Sequence, residues 1–333
     1  MKKKITRRAF CSMLLALPFS ARAQQAGKIF RIGFLDGSTA SGMAVLVDAF
    51  RQELSTLGWI EGKNISIEYR FAENKSRERL PELAADLVRL KVDLIVATDT
   101  PSSLAAKSAT TTIPIVMANP GDPVGAGLVA SLARPGGNVT GLSSLSSDLI
   151  TKRLEVIKDA VPKLARVGLL LPPGLGTGIS TADRQMKELR PAALYLKLKL
   201  EEIKTQVDAK GLESAFQTAK QKQVGAIMPQ ATRSFFAERK RIVELAVKYR
   251  LPAIYPQREY VDEGGLMSYG ADYVDLYRKA AHYVDKILKG TKPADLPVQQ
   301  AMRFEFIINL KAAKQIGHTI PYELLWRANQ VIK

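Results

Sequence analysis

The stretch TIPIVMANPGDPVGAGLVASLARPGGNVTGLSS, residues 112–144, decides the fold. It opens on an apolar run at 113–118 without polar alternation, the pattern of a strand buried on both faces of a parallel sheet. A Pro/Gly turn at 119–123 ends that strand, and a run of small residues that reads as helical follows. A second turn at 135–138 leads into a short strand ending near Ser143. The first strand thereby delivers Asn119 and Asp122 to its carboxyl end, the side on which open parallel sheets bind ligands.

The flanking sequence repeats this unit. On the N-terminal side, residues 30–35 read as a buried strand. Met43, Leu46, Val47, Phe50, Leu54 and Leu57 then recur at three- and four-residue spacing, with Gly58 as a helix stop. Strands at 65–69 and 94–97 enclose a helix at 79–90. After Ser144 the rhythm restarts, with helices at 149–160, 181–194, 212–223 and 233–249. The strands between them fall at 167–171, 196–200, 226–228 and 253–255, where Leu196, Leu198 and Leu200 alternate with charged residues. A strand at 266–269, a helix at 273–289, a strand at 304–308 and a helix at 310–316 capped by Asn309 complete the chain. Alternation of this kind requires parallel sheets with crossover helices, and about 310 residues after a leader exceed what one core usually serves. Two lobes follow.

The N-terminus MKKKITRRAFCSMLLALPFSARAQ carries a basic segment, a short apolar core at 10–19 and an Ala21-Arg22-Ala23 cleavage pattern, so residues 1–23 read as a signal peptide. Thr6-Arg7-Arg8-Ala9-Phe10 resembles a twin-arginine signal. Export places the mature chain in the periplasm, and the apolar core is well short of the ~20 residues that span a membrane. Cys11 is the one cysteine of the sequence, so the mature chain has no disulfide to form. The formal charge is +17, from 49 Lys and Arg against 32 Asp and Glu. Six of those cations lie in the leader, leaving 43 against 32, a balance of +11. The lysines are spread singly along helices, with no aromatic-interleaved stripe and no zinc or helix-turn-helix signature, so nucleic acid is not an expected partner.

The run DPVGAGLVASLARPGGNVTG at 122–141 resembles the signature of a bacterial family of ABC-transporter substrate-binding proteins, whose better-known members are tryptophan- and tyrosine-type amino-acid receptors. RIGFLDG at 31–37, FRQELSTLGWIEGKNI at 50–65, SYGADYVDLYRKAAHYVDKILKG at 268–290 and FEFIINLKAAKQIGHTIP at 304–321 match the same family pattern. The resemblance implies a type I periplasmic-binding-protein fold: α/β, with two Rossmann-like lobes of parallel sheet joined by a three-strand hinge. It places lobe 1 at 28–143 plus 266–292 and lobe 2 at 144–265 plus 293–333. The crossings are expected near Ser143, near 264–266 and near 291–300.

If two parallel sheets face each other, candidate ligand contacts follow the strands: Ser38 and Thr39, Thr98 and Asp99, Asn119 and Asp122, Ser143, Gln230, Tyr255 and Tyr269, with Asp36, Thr100, Ser144, the 173–180 loop, Thr232 and Gln257 beside them. Small hydroxyls and helix N-terminal amides suit a carboxylate. Asp99 or Asp122 suits an ammonium, and Tyr255 or Tyr269 an apolar or aromatic side chain. Each has a plainer reading. Ser38 and Thr39 suit a helix cap, Asp122 before Pro123 a turn, and the two tyrosines wall packing. Gln230 and Gln257 suit an amide, a purine or a carboxylate equally.

No catalytic residue, metal or cofactor is expected. Gly174-Leu175-Gly176-Thr177-Gly178 follows a strand, but Ile179 stands where a dinucleotide fingerprint needs its third glycine. The two histidines, His282 on a helix flank and His318 after a helix-stopping glycine, read as surface residues, and neither a GxSxG elbow nor metal-ligand spacing occurs. The resemblance implies an extracytoplasmic solute receptor that closes on a small ligand and engages an ABC permease in the inner membrane. A periplasmic sensor feeding a membrane receptor is the alternative. A Rossmann-like enzyme or a regulator related to sugar-responsive repressors fits less well, for want of a cofactor fingerprint or a DNA-binding head.

Overall fold

The computed structural model describes residues 28–146, 149–173 and 181–333, so the leader, Cys11 and the glycine-rich segment after Pro173 lie outside the described residues. The chain runs β1 (Phe30–Asp36), α1 (Ala40–Thr56), β2 (Ile65–Phe71), α2 (Ser76–Arg89), β3 (Leu94–Ala97), α3 (Thr100–Ala109), β4 (Ile115–Met117) and β5 (Val139–Ser143). It continues through α4 (Leu149–Ala160), β6 (Arg166–Leu171), α5 (Thr181–Tyr195), β7 (Lys199–Lys204), α6 (Ala209–Gln221), β8 (Ala226–Pro229), α7 (Arg233–Ala237), α8 (Arg239–Lys248), β9 (Ile254–Tyr255), α9 (Glu259–Asp262) and β10 (Met267–Ala271). The last elements are α10 (Tyr273–Leu288), β11 (Gln299–Gln300), β12 (Phe304–Asn309), α11 (Leu310–Ile316), α12 (Tyr322–Arg327) and β13 (Gln330–Ile332).

Two sheets result. The first has the order β11-β5-β4-β3-β1-β2 and is parallel throughout. The second joins β7-β6-β8 to β9-β10-β12-β13 through a parallel bridge from Ile227 to Ala253. It is parallel except where β10 meets β12. Within each lobe the first strand is flanked by the second on one side and the third on the other. The strand order therefore reverses between β1 and β3, and again between β6 and β8, and the carboxyl ends of such strands are where open parallel sheets form a crevice.

Local chemistry explains the helices that frame these ends. Thr39 caps α1 by accepting from the Gly42 amide, and α1 buries Met43, Leu46, Val47, Phe50 and Leu54. Asp99 and Ser102 form a capping box at the start of α3. Asn309 caps α11 by accepting from the Ala312 amide, and Gly317 ends that helix in the left-handed region. Such caps satisfy amides that the first helical turn leaves free.

Strand pairing moves two of the expected lobe borders. β10 hydrogen-bonds with β9 and β12, so 267–271 belongs to the second sheet, whereas β11 pairs with β5 in the first. α10 packs along α1 and against β5, in the first lobe. The second and third crossings therefore fall at Asp272 and at residues 301–303. Three local readings also differ. Residues 124–134 form turns, not a helix: the Asp122 carboxylate accepts from the Gly125 amide, and Gly127 takes a positive φ. The alternating leucines at 196–200 are not a strand throughout, because the Leu196 and Leu198 amides donate back to Ala192 and Ala193 and close α5, delaying β7 to Lys199. The helix read at 233–249 is broken at Glu238 into α7 and α8.

Gly141 sits in β5, just before the chain leaves the first lobe, with φ +132°. A Cβ there would lie 2.2 Å from the Met117 carbonyl oxygen. Gly141→Ala is expected to lower the unfolding free energy by about 3 kcal/mol in denaturant titration, through strain and a backbone clash together. A loss below about 1 kcal/mol would mean that β4 and β5 separate easily.

Candidate functional site

The inner ends of both sheets meet at a cleft of about 1220 Å³. Its first-lobe wall comes from Asp99, Thr100, Pro101 and Leu104 of α3 and from Asn119 and Gly121 after β4. The second-lobe wall comes from Ser146, Pro172, Gln206, Asp208, Thr232, Arg233 and Gln257. Tyr273, at the start of α10 where the chain recrosses, closes the inner end.

Arg233 is the group that ties the walls together. It opens α7 in the second lobe, positioned by Thr232, whose hydroxyl caps that short helix by accepting from the Phe235 amide. Its side chain is buried and crosses to the first lobe. There one guanidinium nitrogen donates to the Thr98 carbonyl oxygen at 3.3 Å and to the Asn119 Oδ1. The guanidinium also lies 5.3 Å from the ring centroid of Tyr273 and 5.7 Å from that of Tyr277, within cation–π range. The contact extends outward. Arg239 donates to the Gly42 carbonyl oxygen at 2.9 Å, and the Phe236 ring stacks on Tyr273. Gly42 leaves no room for a side chain, since a Cβ there would meet the Ala237 methyl at 2.4 Å.

Asp36 sits beneath this bridge, fully buried at the end of β1, with its Oδ1 accepting from the Ser38 amide at 2.7 Å. Burial pushes its carboxyl up to about 6, opposed by the Arg233 charge and the Thr98 hydroxyl and reinforced by Asp99. Burial by itself would lower the Arg233 pKa. Tyr277, Asp36, Tyr273 and Asp99 outweigh that and hold it above its ordinary value. The inner end of the cleft also holds polar atoms with no partner: Asn119 Nδ2, Arg233 Nε, Thr100 Oγ1 and Gln257 Oε1. Buried polar groups are normally hydrogen-bonded, so these atoms stand out beside the cleft.

The structure sorts the candidate residues. Asp99 and Asn119 line the cleft, as do Thr100, Thr232 and Gln257. Ser38 and Thr98 are buried at the β1/β3 ends, one step behind that wall. Thr39 and Asp122 spend their side chains on the α1 cap and on the Gly125 turn. Ser143 is buried at the first crossing, with its hydroxyl 3.5 Å from the Gly121 carbonyl oxygen. Gln230 is buried at the end of β8. Tyr255 stacks on Tyr260 at 4.8 Å in the core, and Tyr269 packs edge-on against Phe306. None of these last four is part of the cleft lining. Arg233 and Tyr273 were not among the strand-end candidates, because each follows a helix cap (Thr232, Asp272) and reads as the first residue of an ordinary helix. Among the described residues, no group of three or more His, Cys, Asp or Glu side chains could hold a metal ion, and no helix is long and apolar enough to cross a membrane.

Comparison with known proteins places this geometry. The family described as ABC transporter substrate binding protein matches residues 38–332. A tyrosine-binding protein of Clostridioides difficile (strain R20291) is 32% identical over 272 residues, covering 80% of this chain and 75% of that protein. Among solved structures, a conserved domain protein of Vibrio cholerae superposes with a TM-score of 0.81 at 30% identity, covering 91% of this chain and 100% of that one. An ABC domain from Streptococcus pneumonia in complex with L-Trp superposes with a TM-score of 0.77 at 27% identity, covering 92% and 100%. The fold is thus the two-lobed type I periplasmic-binding-protein fold.

The raised pKa of Asp36 has a definite sign in stability. The folded chain binds a proton at Asp36 up to pH about 6, whereas the unfolded carboxyl releases it near 3.8, so this group's contribution is full below pH 4 and is lost as pH rises through 6. Relative to Asp36→Asn, the unfolding free energy of the wild type is expected to fall by roughly 2–3 kcal/mol between pH 4 and pH 7. A difference that stays flat across that range would show that Arg233 neutralises the burial of Asp36 completely.

Proposed function

Because the chain belongs to the ABC transporter substrate-binding protein family, we propose that it is the extracytoplasmic receptor of an ABC importer, which closes its lobes on an amino acid or aromatic carboxylate. The closed form then engages an ABC permease in the inner membrane. The family is one of substrate-binding proteins, not enzymes. The observation that carries the proposal is the set of buried, partnerless polar atoms on Asn119, Arg233 and Gln257 at the inner end of an interlobe cleft. A ligand that satisfies them from both sides binds the closed arrangement better than the open one, and that differential affinity drives closure. Tyr273 supplies an aromatic wall. The relatives that bind tyrosine and L-Trp support an aromatic amino acid as the first candidate.

In this reading Asp99 and Asn119 touch the ligand together with Arg233, Gln257 and Tyr273, while Ser38, Thr98 and Ser143 shape the wall behind them. The leader at 1–23 and its twin-arginine pattern support export to the periplasm.

A thermal-unfolding screen of the chain from residue 24 onward against L-tyrosine, L-tryptophan and aromatic carboxylates tests this. A ligand at about 100 times its dissociation constant is expected to stabilise by about 2.7 kcal/mol. Asn119→Ala is expected to weaken the same ligand about tenfold, or about 1.4 kcal/mol. Chemical turnover of a bound compound would overturn the receptor reading.

A further inference from the structure

Helix α4 packs into the second lobe with Ile150, Leu154, Ile157 and Ala160 on its inner face, all buried. Position 153 lies on that face, three residues after Ile150 and four before Ile157, where the packing calls for an aliphatic side chain. The residue there is an arginine, 1% exposed. Its guanidinium donates to two neutral carbonyl oxygens, Tyr269 at 3.2 Å and Ser146 at 3.4 Å, and its Nε has no partner. Among the described residues the groups that act on it electrostatically are Tyr273, Tyr260 and Tyr269, and no carboxylate is among them. Burial draws its pKa down to about 10, so it is charged at neutral pH.

The other buried arginine makes the contrast. Arg233 has Asp36 and Asp99 within electrostatic reach, so its charge is answered inside the protein. A buried charge without a counter-charge is costly, and strongly perturbed buried groups cluster at functional sites. Arg153 does not line the cleft itself but is bonded to Ser146, which does. Ser146, whose carbonyl it holds, and Tyr273, which acts on its charge, both line the cleft. Two more unspent side-chain oxygens are buried nearby: Gln185, whose amide nitrogen donates to the same Ser146 carbonyl, and Gln257 on the cleft wall.

We propose that Arg153 is the counter-charge for the ligand's carboxylate, so that the ligand binds with its anionic end toward the second lobe and any ammonium toward Asp99 on the first. This deepens the receptor reading and rests on it. It selects a class, small carboxylates, and it assigns the acid end to a side chain that strand-end reasoning does not reach.

The test uses three probes of one shape, L-tryptophan, indole-3-propionate and tryptamine, titrated calorimetrically into the wild type and into Arg153→Met, with thermal unfolding of both proteins without ligand. The wild type is expected to bind both carboxylates more tightly than tryptamine. Arg153→Met is expected to weaken both carboxylates at least 30-fold, to leave tryptamine unchanged, and to unfold at the same or a higher temperature, because removing an unanswered buried charge does not harm the free protein. Arg153→Lys, which keeps the charge, is expected to recover part of the loss. It also serves as the comparison should the methionine variant fail to fold. Unchanged carboxylate binding in the variants, or an equal loss for tryptamine, would overturn the assignment and leave the receptor reading standing. Failure of the wild type to bind either carboxylate, with L-tyrosine binding in the same protein, would overturn the assignment for indole ligands, and failure with L-tyrosine as well would overturn both.

Discussion

A buried guanidinium bridges the two lobes of this protein at the centre of their contact. Arg233 reaches from the start of α7 to the Thr98 carbonyl and the Asn119 amide oxygen, over the rings of Tyr273 and Tyr277 and above the Asp36 carboxyl. The contacts around it depend on that approach. Phe236 stacks on Tyr273, Arg239 reaches the Gly42 carbonyl, and the α1 backbone meets Ala237 so closely that only glycine fits at position 42. Charge, aromatic face and backbone approach all favour the same arrangement of the two lobes.

Such a bridge has a consequence for ligand response. A ligand shifts an open–closed equilibrium only by the difference between its affinities for the two states. Where the protein supplies part of the closing contact itself, less of the ligand's binding free energy is spent on closure and more appears as affinity. Asn119, Arg233 and Gln257 each keep a buried polar atom without a partner, so this self-contact is incomplete.

Much of the architecture was legible in the sequence. The spacing of Met43, Leu46, Phe50 and Leu54 marked α1, Asn309 and Gly317 bounded α11, and the apolar run ahead of Asn119 marked a strand that does deliver Asn119 to the cleft. Local rules failed where distant chain decided the outcome. The motif beginning at Ser268 reads as one strand-helix unit, but strand pairing commits β10 to one lobe and packing commits α10 to the other. The sequence TPSSLAAKSA has weak amphipathic spacing, so α3 becomes visible only through the Asp99 and Ser102 capping box. Arg233 reads only as the first residue of a helix, because its partners Thr98 and Asn119 lie 135 and 114 residues away in the chain. Tyr255 and Tyr269 were sensible aromatic candidates, and the core claimed both for ring packing.

The most direct test is an interlobe distance measured by electron–electron double resonance, with spin labels at cysteines replacing Ser108 on the first lobe and Lys210 on the second. Both sites are exposed, and the leader holds the sequence's one native cysteine. Without ligand, the otherwise wild-type chain is expected to populate a short distance, and Arg233→Ala to shift that population to a longer one. Identical distributions in the two proteins would contradict the account, because the lobes would then be held by something other than this arginine.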